Sequence, residues 1–196
     1  MTMTLGKKRW IVAGVLAILA ISAYAANPFA DARASVRLVT GGPNTGSCSA
    51  VVIAPNQALT AKHCDNITDM LVDGKPAKIV WSSPTEDVMS LSVPGLECPC
   101  APVSTVRPAL DETLLFIGWL YGDFKMTTRG EYLGRVQDEG LNYGVGVAPT
   151  GPGMSGGGVF RVFVTGDIPL VGIISAKSVD GGAVRYVEVS KDALRW

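Results

Sequence analysis

The sequence predicts an all-β domain of antiparallel barrels or sandwiches, preceded by a short apolar leader. Three observations predict it. After residue 30 helical periodicity is almost absent, while short apolar and β-branched runs recur. Clusters of Gly, Pro, Asn and Asp separate those runs. The strand–helix alternation that builds a parallel sheet is missing. The 196 residues, 47% hydrophobic and 17% charged, suit one compact unit or two small lobes.

The leader comes first. Lys7, Lys8 and Arg9 precede an uninterrupted apolar run from Trp10 to Ile21, followed by Ser22, Ala23, Tyr24 and Ala25. A basic start, an apolar stretch and a small-x-small ending describe an export signal cleaved after Ala25. Trp10–Ala26 is also 17 residues long, at the lower edge of what crosses a bilayer, so a retained membrane anchor through residues 10–26 is the alternative. Either way the domain, residues 26–196, is expected outside the cytoplasm, secreted, periplasmic or anchored.

Candidate strands then follow in order. Ser35–Thr40, Cys48–Ile53, Ala58–Ala61, Ala77–Trp81 and Val88–Val93 form a first group. Gly41-Gly42-Pro43-Asn44, Pro55-Asn56 and Asp73-Gly74-Lys75-Pro76 supply turns between them. Between Pro94 and Leu110 four prolines (94, 99, 102 and 108) leave few residues able to sustain a ladder, so this stretch reads as a crossover. A second group comprises Leu114–Trp119, Lys125–Arg129, Glu131–Val136, Leu141–Val145, Gly158–Val164, Leu170–Ser175 and Arg185–Glu188. The halves span about 30–95 and 110–189. Ser190–Trp196 is expected to form a short helix.

Charge excludes one class of partner. Basic and acidic residues number 17 each, and no basic cluster lies beyond the first ten residues, so nucleic acid is not expected to bind. Four cysteines, Cys48, Cys64, Cys98 and Cys100, make the even count usual in an oxidising compartment. A hairpin could bring Cys48 and Cys64 together. Cys98-Pro99-Cys100 could close on itself, remain two thiols, or link to another chain. No ligand cluster for zinc or calcium is present, so no metal and no cofactor is expected.

Three places carry chemistry. His63, the only histidine, ends the apolar run Ala58–Lys62. Asp87 heads another apolar run. Ser155 sits among five glycines within eight residues, Gly151, Gly153, Gly156, Gly157 and Gly158. A serine nucleophile needs backbone N–H groups aimed at the oxygen that becomes negative, and glycine allows the backbone turns and the close approach this demands. Gly153–Gly157 also fits Gly-x-Ser-x-Gly. An α/β-hydrolase, however, needs a histidine after the serine and alternating helices, and this chain has neither.

Taken together, these segments resemble the trypsin/chymotrypsin family of serine proteases. The Cys48–Cys64 segment, with its 16-residue cysteine spacing and Ala-Lys-His63-Cys64 ending, is similar to the family's histidine segment. Asp87-Val88-Met89-Ser90-Leu91 resembles its aspartate segment. Gly153-Met154-Ser155-Gly156-Gly157 resembles its nucleophile motif, and Leu170–Ser175 the strand that follows. The resemblance covers about residues 35–190 in the order His, Asp, Ser. It implies two six-stranded antiparallel Greek-key barrels, a Cys48–Cys64 disulfide and serine endopeptidase activity on a protein or peptide substrate. By the same resemblance His63, Asp87 and Ser155 are catalytic, with Glu86 the nearest rival to Asp87, and Gly153 and Ser155 supply the oxyanion hole. Pro149, Thr150, Ser175 and Lys177 would shape the specificity pocket. Two departures stand out. Met154 replaces the aspartate that pairs with a newly cut N-terminus, so no trypsin-style zymogen switch is expected. Pro149 replaces a pocket aspartate, which argues against a preference for Arg or Lys. The alternative is a module of the same fold that binds but does not cut.

Overall fold

The computed structural model describes residues 27–138, 140–175 and 182–194. The leader and Lys177 lie outside the described residues.

The first element is a helix, α1 (Pro28–Ser35), which strand periodicity did not anticipate. Its signal was nonetheless written as Asn27-Pro28, a capping side chain followed by a proline at the first turn. Asn27 Oδ1 accepts the Ala30 N–H at 3.2 Å. Arg33 of α1 donates to Thr127 Oγ1 and to the Lys125 carbonyl, both at 2.8 Å, and Lys125 Nζ returns a bond to the Arg33 carbonyl at 2.9 Å.

The first sheet contains β1 (Val36–Thr40), β2 (Cys48–Ala54), β3 (Gln57–Thr60), β4 (Leu71–Val72), β5 (Lys75–Pro76), β6 (Lys78–Ser82) and β7 (Met89–Ser92). Their order is β5-β4-β1-β2-β3-β7-β6, an antiparallel sheet curled into a half-barrel. It has seven strands where six were expected. The stretch Asp73-Gly74, read from the sequence only as a turn, is the tip of the β4–β5 hairpin. Asp73 (φ 47°) and Gly74 (φ 75°) both take the positive φ that a tight right-twisting hairpin requires.

The second sheet closes into a six-stranded barrel, β10-β13-β12-β11-β8-β9. Its members are β8 (Thr113–Leu120), β9 (Phe124–Asp138), β10 (Leu141–Val147), β11 (Gly158–Arg161), β12 (Leu170–Ile174) and β13 (Ala183–Glu188). Two expected strands merge into β9 because Gly130 does not break the ladder. A Cβ there would lie 2.1 Å from the Val147 carbonyl, so only glycine passes. The proline-rich segment straps the sheets together through Ala101 N–H to the Val52 carbonyl and Leu170 N–H to the Pro102 carbonyl. The expected C-terminal helix is a single 3-10 turn, Asp192–Leu194.

Strands apolar on both faces explain the packing. In β8, Leu114 and Phe116 point into the barrel, whereas Leu115 and Ile117 point to the seam between the sheets. Val51 of β2 faces that seam too, while Ala50 and Val52 fill the half-barrel. Each such fully buried Leu or Ile contributes about 1.5–3 kcal/mol, so the seam is a continuous core and not a hinge. This fixes the position of whatever lies along it.

Candidate active site

His63 sits in a 3-10 turn (Lys62–Asn66) directly after β3, and Asp87 lies just before β7. β3 and β7 pair antiparallel with Thr60 opposite Met89, so the register carried two residues further brings Asp87 beside the turn. A disulfide between Cys48 and Cys64, Cα atoms 6.4 Å apart, ties that turn to the start of β2. Cys98 and Cys100 form a second disulfide. With both cysteines oxidised, the grouping of Cys48, His63 and Cys64 offers no thiolates to a metal.

Asp87 accepts three hydrogen bonds. One oxygen takes the His63 backbone N–H at 2.9 Å; the other takes His63 Nδ1 at 2.7 Å and the Ser175 hydroxyl. A carboxylate only accepts, so the imidazole proton resides on Nδ1 and the Nε2 lone pair is left for another donor. Burial alone would raise the Asp87 carboxyl. The bonds from the His63 ring, Ser175 and the His63 backbone, with the ring's charge, outweigh it and hold the group below its ordinary 3.8. Asp87 is 12% exposed and the imidazole 46%, so the acid is buried behind a ring that faces solvent. Glu86 does not compete for the ring. Burial raises its carboxyl, and its charged neighbours are Arg135, Glu188 and Asp192.

Ser155 comes from the other sheet, in the loop between β10 and β11. It lines a cavity of about 340 Å³ together with His63, Ser47, Cys48 and Asn66. His63 also lines a second cavity, about 690 Å³, with Asp87, Tyr143, Ser175 and Arg185. His63 therefore borders both cavities. Among the described residues, Ser155 Oγ has no hydrogen-bond partner, so the hydroxyl and the imidazole share a cavity without being bonded.

The loop that carries Ser155 is tightly turned. Met154 N–H bonds the Gly151 carbonyl at 3.1 Å and Gly157 N–H the Met154 carbonyl at 2.9 Å. Gly153 has φ 89°, a left-handed value that favours glycine. The Pro152 carbonyl accepts Tyr121 N–H at 2.7 Å. A trans peptide points its N–H opposite its carbonyl, so Gly153 N–H is directed away from Tyr121. Neither Gly153 N–H nor Ser155 N–H finds an acceptor among the described residues. Two uncommitted donors thus flank the serine.

The remaining expected site residues are placed as follows. Ser175, expected along a pocket wall, turns its hydroxyl to Asp87, a contact the sequence reading did not foresee. Thr150 is half-buried, and Pro149 is exposed at the start of the Ser155 loop. Met154 is fully buried against Gly118, where a Cβ would meet it at 2.9 Å. Sequence reasoning also passed over Ser49. Its signal was a hydroxyl inside the apolar run Cys48–Ile53, at a position the structure buries completely.

Two antiparallel β units meeting at a seam that carries a His–Asp pair and a glycine-framed serine define the chymotrypsin-like serine-protease fold. Solved structures bear this out. The Rv3671c protease from M. tuberculosis in its active form is 19% identical, covers 86% of this chain and 82% of its own, and superposes with a TM-score of 0.71. The HtrA-type protease AlgW with tripeptide is 24% identical over 86% of this chain, TM-score 0.70; this chain spans 60% of its length. The serine endoprotease from Yersinia pestis is 20% identical over 83% of this chain and 61% of its own, TM-score 0.68. Likeness at these identities establishes the fold. No protein-family model and no curated protein matches the sequence.

Proposed function

We propose that this chain is an exported serine endopeptidase in which Ser155 attacks the peptide carbonyl. His63 Nε2 takes the serine's proton and later delivers it to the leaving amine. Asp87 holds Nδ1 protonated and stabilises the imidazolium, while Gly153 N–H and Ser155 N–H receive the oxyanion. The observation that carries this reading is the three-fold bonding of buried Asp87, which fixes the tautomer a general base requires. The AlgW structure holds a tripeptide, and a peptide along the seam is the occupant we assign here. The leader assigns the enzyme to a compartment outside the cytoplasm, by cleavage after Ala25 or by anchoring through residues 10–26.

One observation favours a second reading, a non-cutting module: Ser155 Oγ is not bonded to the imidazole. Catalytic hydrogen bonds commonly tighten only when substrate binds, so the geometry does not decide against the enzyme. The fold likeness is neutral, because Rv3671c superposes equally well in its inactive form, TM-score 0.71. Digestion of a peptide library by the full-length chain, beside Ser155→Ala, separates the two. Cleavage by the first and none by the second supports the protease; no cleavage by either, with both folded, supports the module.

A further inference from the structure

Something must orient the nucleophile loop in a chain whose sequence departs from the resembling family at Met154, where that family places a charged latch. Met154 is buried against Gly118 and carries no charge. The loop does, however, receive polar contacts from outside itself. Tyr121 N–H binds the Pro152 carbonyl, Ile174 of β12 exchanges backbone bonds with Gly156 and Gly157, and two more contacts come from Ser49, on β2 of the opposite sheet.

Ser49 is fully buried, and every polar group it owns is used. Its hydroxyl donates to the Gly153 carbonyl at 2.9 Å and accepts Trp119 N–H at 2.8 Å. Its backbone N–H donates to the Ser155 carbonyl at 2.7 Å, and its carbonyl accepts the Thr60 hydroxyl at 2.7 Å. One residue thus joins the half-barrel to β8 of the closed barrel and grips the nucleophile loop on both sides of Met154.

We propose that the Ser49 hydroxyl is the positioning group for the oxyanion hole, a side-chain latch that substitutes for an activation-dependent ion pair. The proposal rests on the protease reading of the site. The physical argument is peptide planarity. With the Gly153 carbonyl held by Ser49 and the Pro152 carbonyl held by Tyr121 N–H, both peptide planes bordering Gly153 are fixed, and with them the direction of its N–H, away from Tyr121. Gly153 lacks a Cβ and takes φ 89°, so its peptide planes need holding from outside. Trp119 N–H makes the latch directional. By donating to Ser49 Oγ it leaves the hydroxyl proton only the Gly153 carbonyl to bind. The latch is assembled when the two sheets pack, so the hole forms on folding without a cut.

The test is Ser49→Ala in the full-length chain, with three readouts. Peptide turnover should fall about 10- to 100-fold in kcat with KM within about threefold, because a hole donor is lost for part of the time rather than removed. Affinity for a peptide aldehyde, whose adduct loads the hole, should fall by the same factor, while affinity for the matching peptide alcohol stays level. Trp119 amide exchange, followed by NMR, should be slow in the unaltered chain and at least about tenfold faster in Ser49→Ala. Unchanged kcat and aldehyde affinity would overturn the proposal, and so would equal loss of aldehyde and alcohol affinity. A freely exchanging Trp119 amide in the unaltered chain would also overturn it, even if the variant fails to fold. Should the unaltered chain show no Ser155-dependent turnover, the protease reading fails and with it the catalytic role; the exchange data then still decide whether the latch exists.

Discussion

Replacing Asp87 with asparagine separates the chemistry of this site from its architecture. The side chain keeps its shape, and its amide oxygen can still accept the His63 backbone N–H, which lies 2.9 Å from the carboxylate. The other position changes sign. Where Oδ2 accepts from both His63 Nδ1 and Ser175, the amide nitrogen only donates. Ser175 can rotate its hydroxyl and accept; the imidazole must give up the Nδ1 proton and carry it on Nε2, where it can no longer take one from Ser155. The same change in trypsin-type triads lowers kcat about 10⁴-fold, equivalent to about 5.4 kcal/mol of barrier at 1.36 kcal/mol per decade. Stability should move far less. Three charge-assisted bonds give way to neutral ones, costing together about 1–3 kcal/mol, or about 2–12 °C in melting temperature for a chain of this size. Turnover on a cleaved peptide and a thermal melt measure the two effects. If Asp87→Asn retains more than a tenth of the turnover, or if Glu86→Gln loses as much, the tautomer argument is wrong.

Other consequences follow from the same geometry. Gly156→Ala should lower the melting temperature by at least about 6 °C, because its Cβ would fall 2.0 Å from the Ser49 carbonyl at a residue with φ 80°; a variant that melts normally would contradict the packing of loop on β2. Cys48→Ser with Cys64→Ser should cost about 3 kcal/mol for a link of separation 16, read by denaturant titration, whereas Cys98→Ser with Cys100→Ser, closing a separation of 2, should cost about half that or less. The Asp87 carboxyl is held below 3.8, so the stability it contributes is complete above that value and lost as pH falls through the lower folded value. Acid melts between pH 5 and 2 should therefore fall more steeply for the unaltered chain than for Asp87→Asn, and parallel curves would refute the assignment.

Much of this was legible in the sequence because both sheets are built from short apolar runs bounded by turn residues. β1, β2, β7 and β8 lie within a residue or two of where their β-branched runs predict them. What escaped detection was set by tertiary contact or by pieces too short for periodicity. β4 and β5 have two residues each, and β9 runs through Gly130 because a neighbouring carbonyl demands glycine there. α1 follows a cap-and-proline signal that the surrounding β pattern obscured. At the site, His63, Asp87 and Ser155 stood out by type and setting. The bonds of Ser175 and Ser49 did not, since a hydroxyl in an apolar strand says that it needs partners without saying which. The leader and Lys177 lie outside the described residues, and their roles rest on the sequence alone.

Stoichiometric phosphonylation tests the central claim most directly. A fluorophosphonate requires an activated serine and a donor pair to receive its oxygen, so mass spectrometry of the treated full-length chain should find about one adduct per molecule, on Ser155. His63→Ala and Ser155→Ala, both folded, should show none. An adduct on another residue, or no adduct on a folded unaltered chain, would contradict the account.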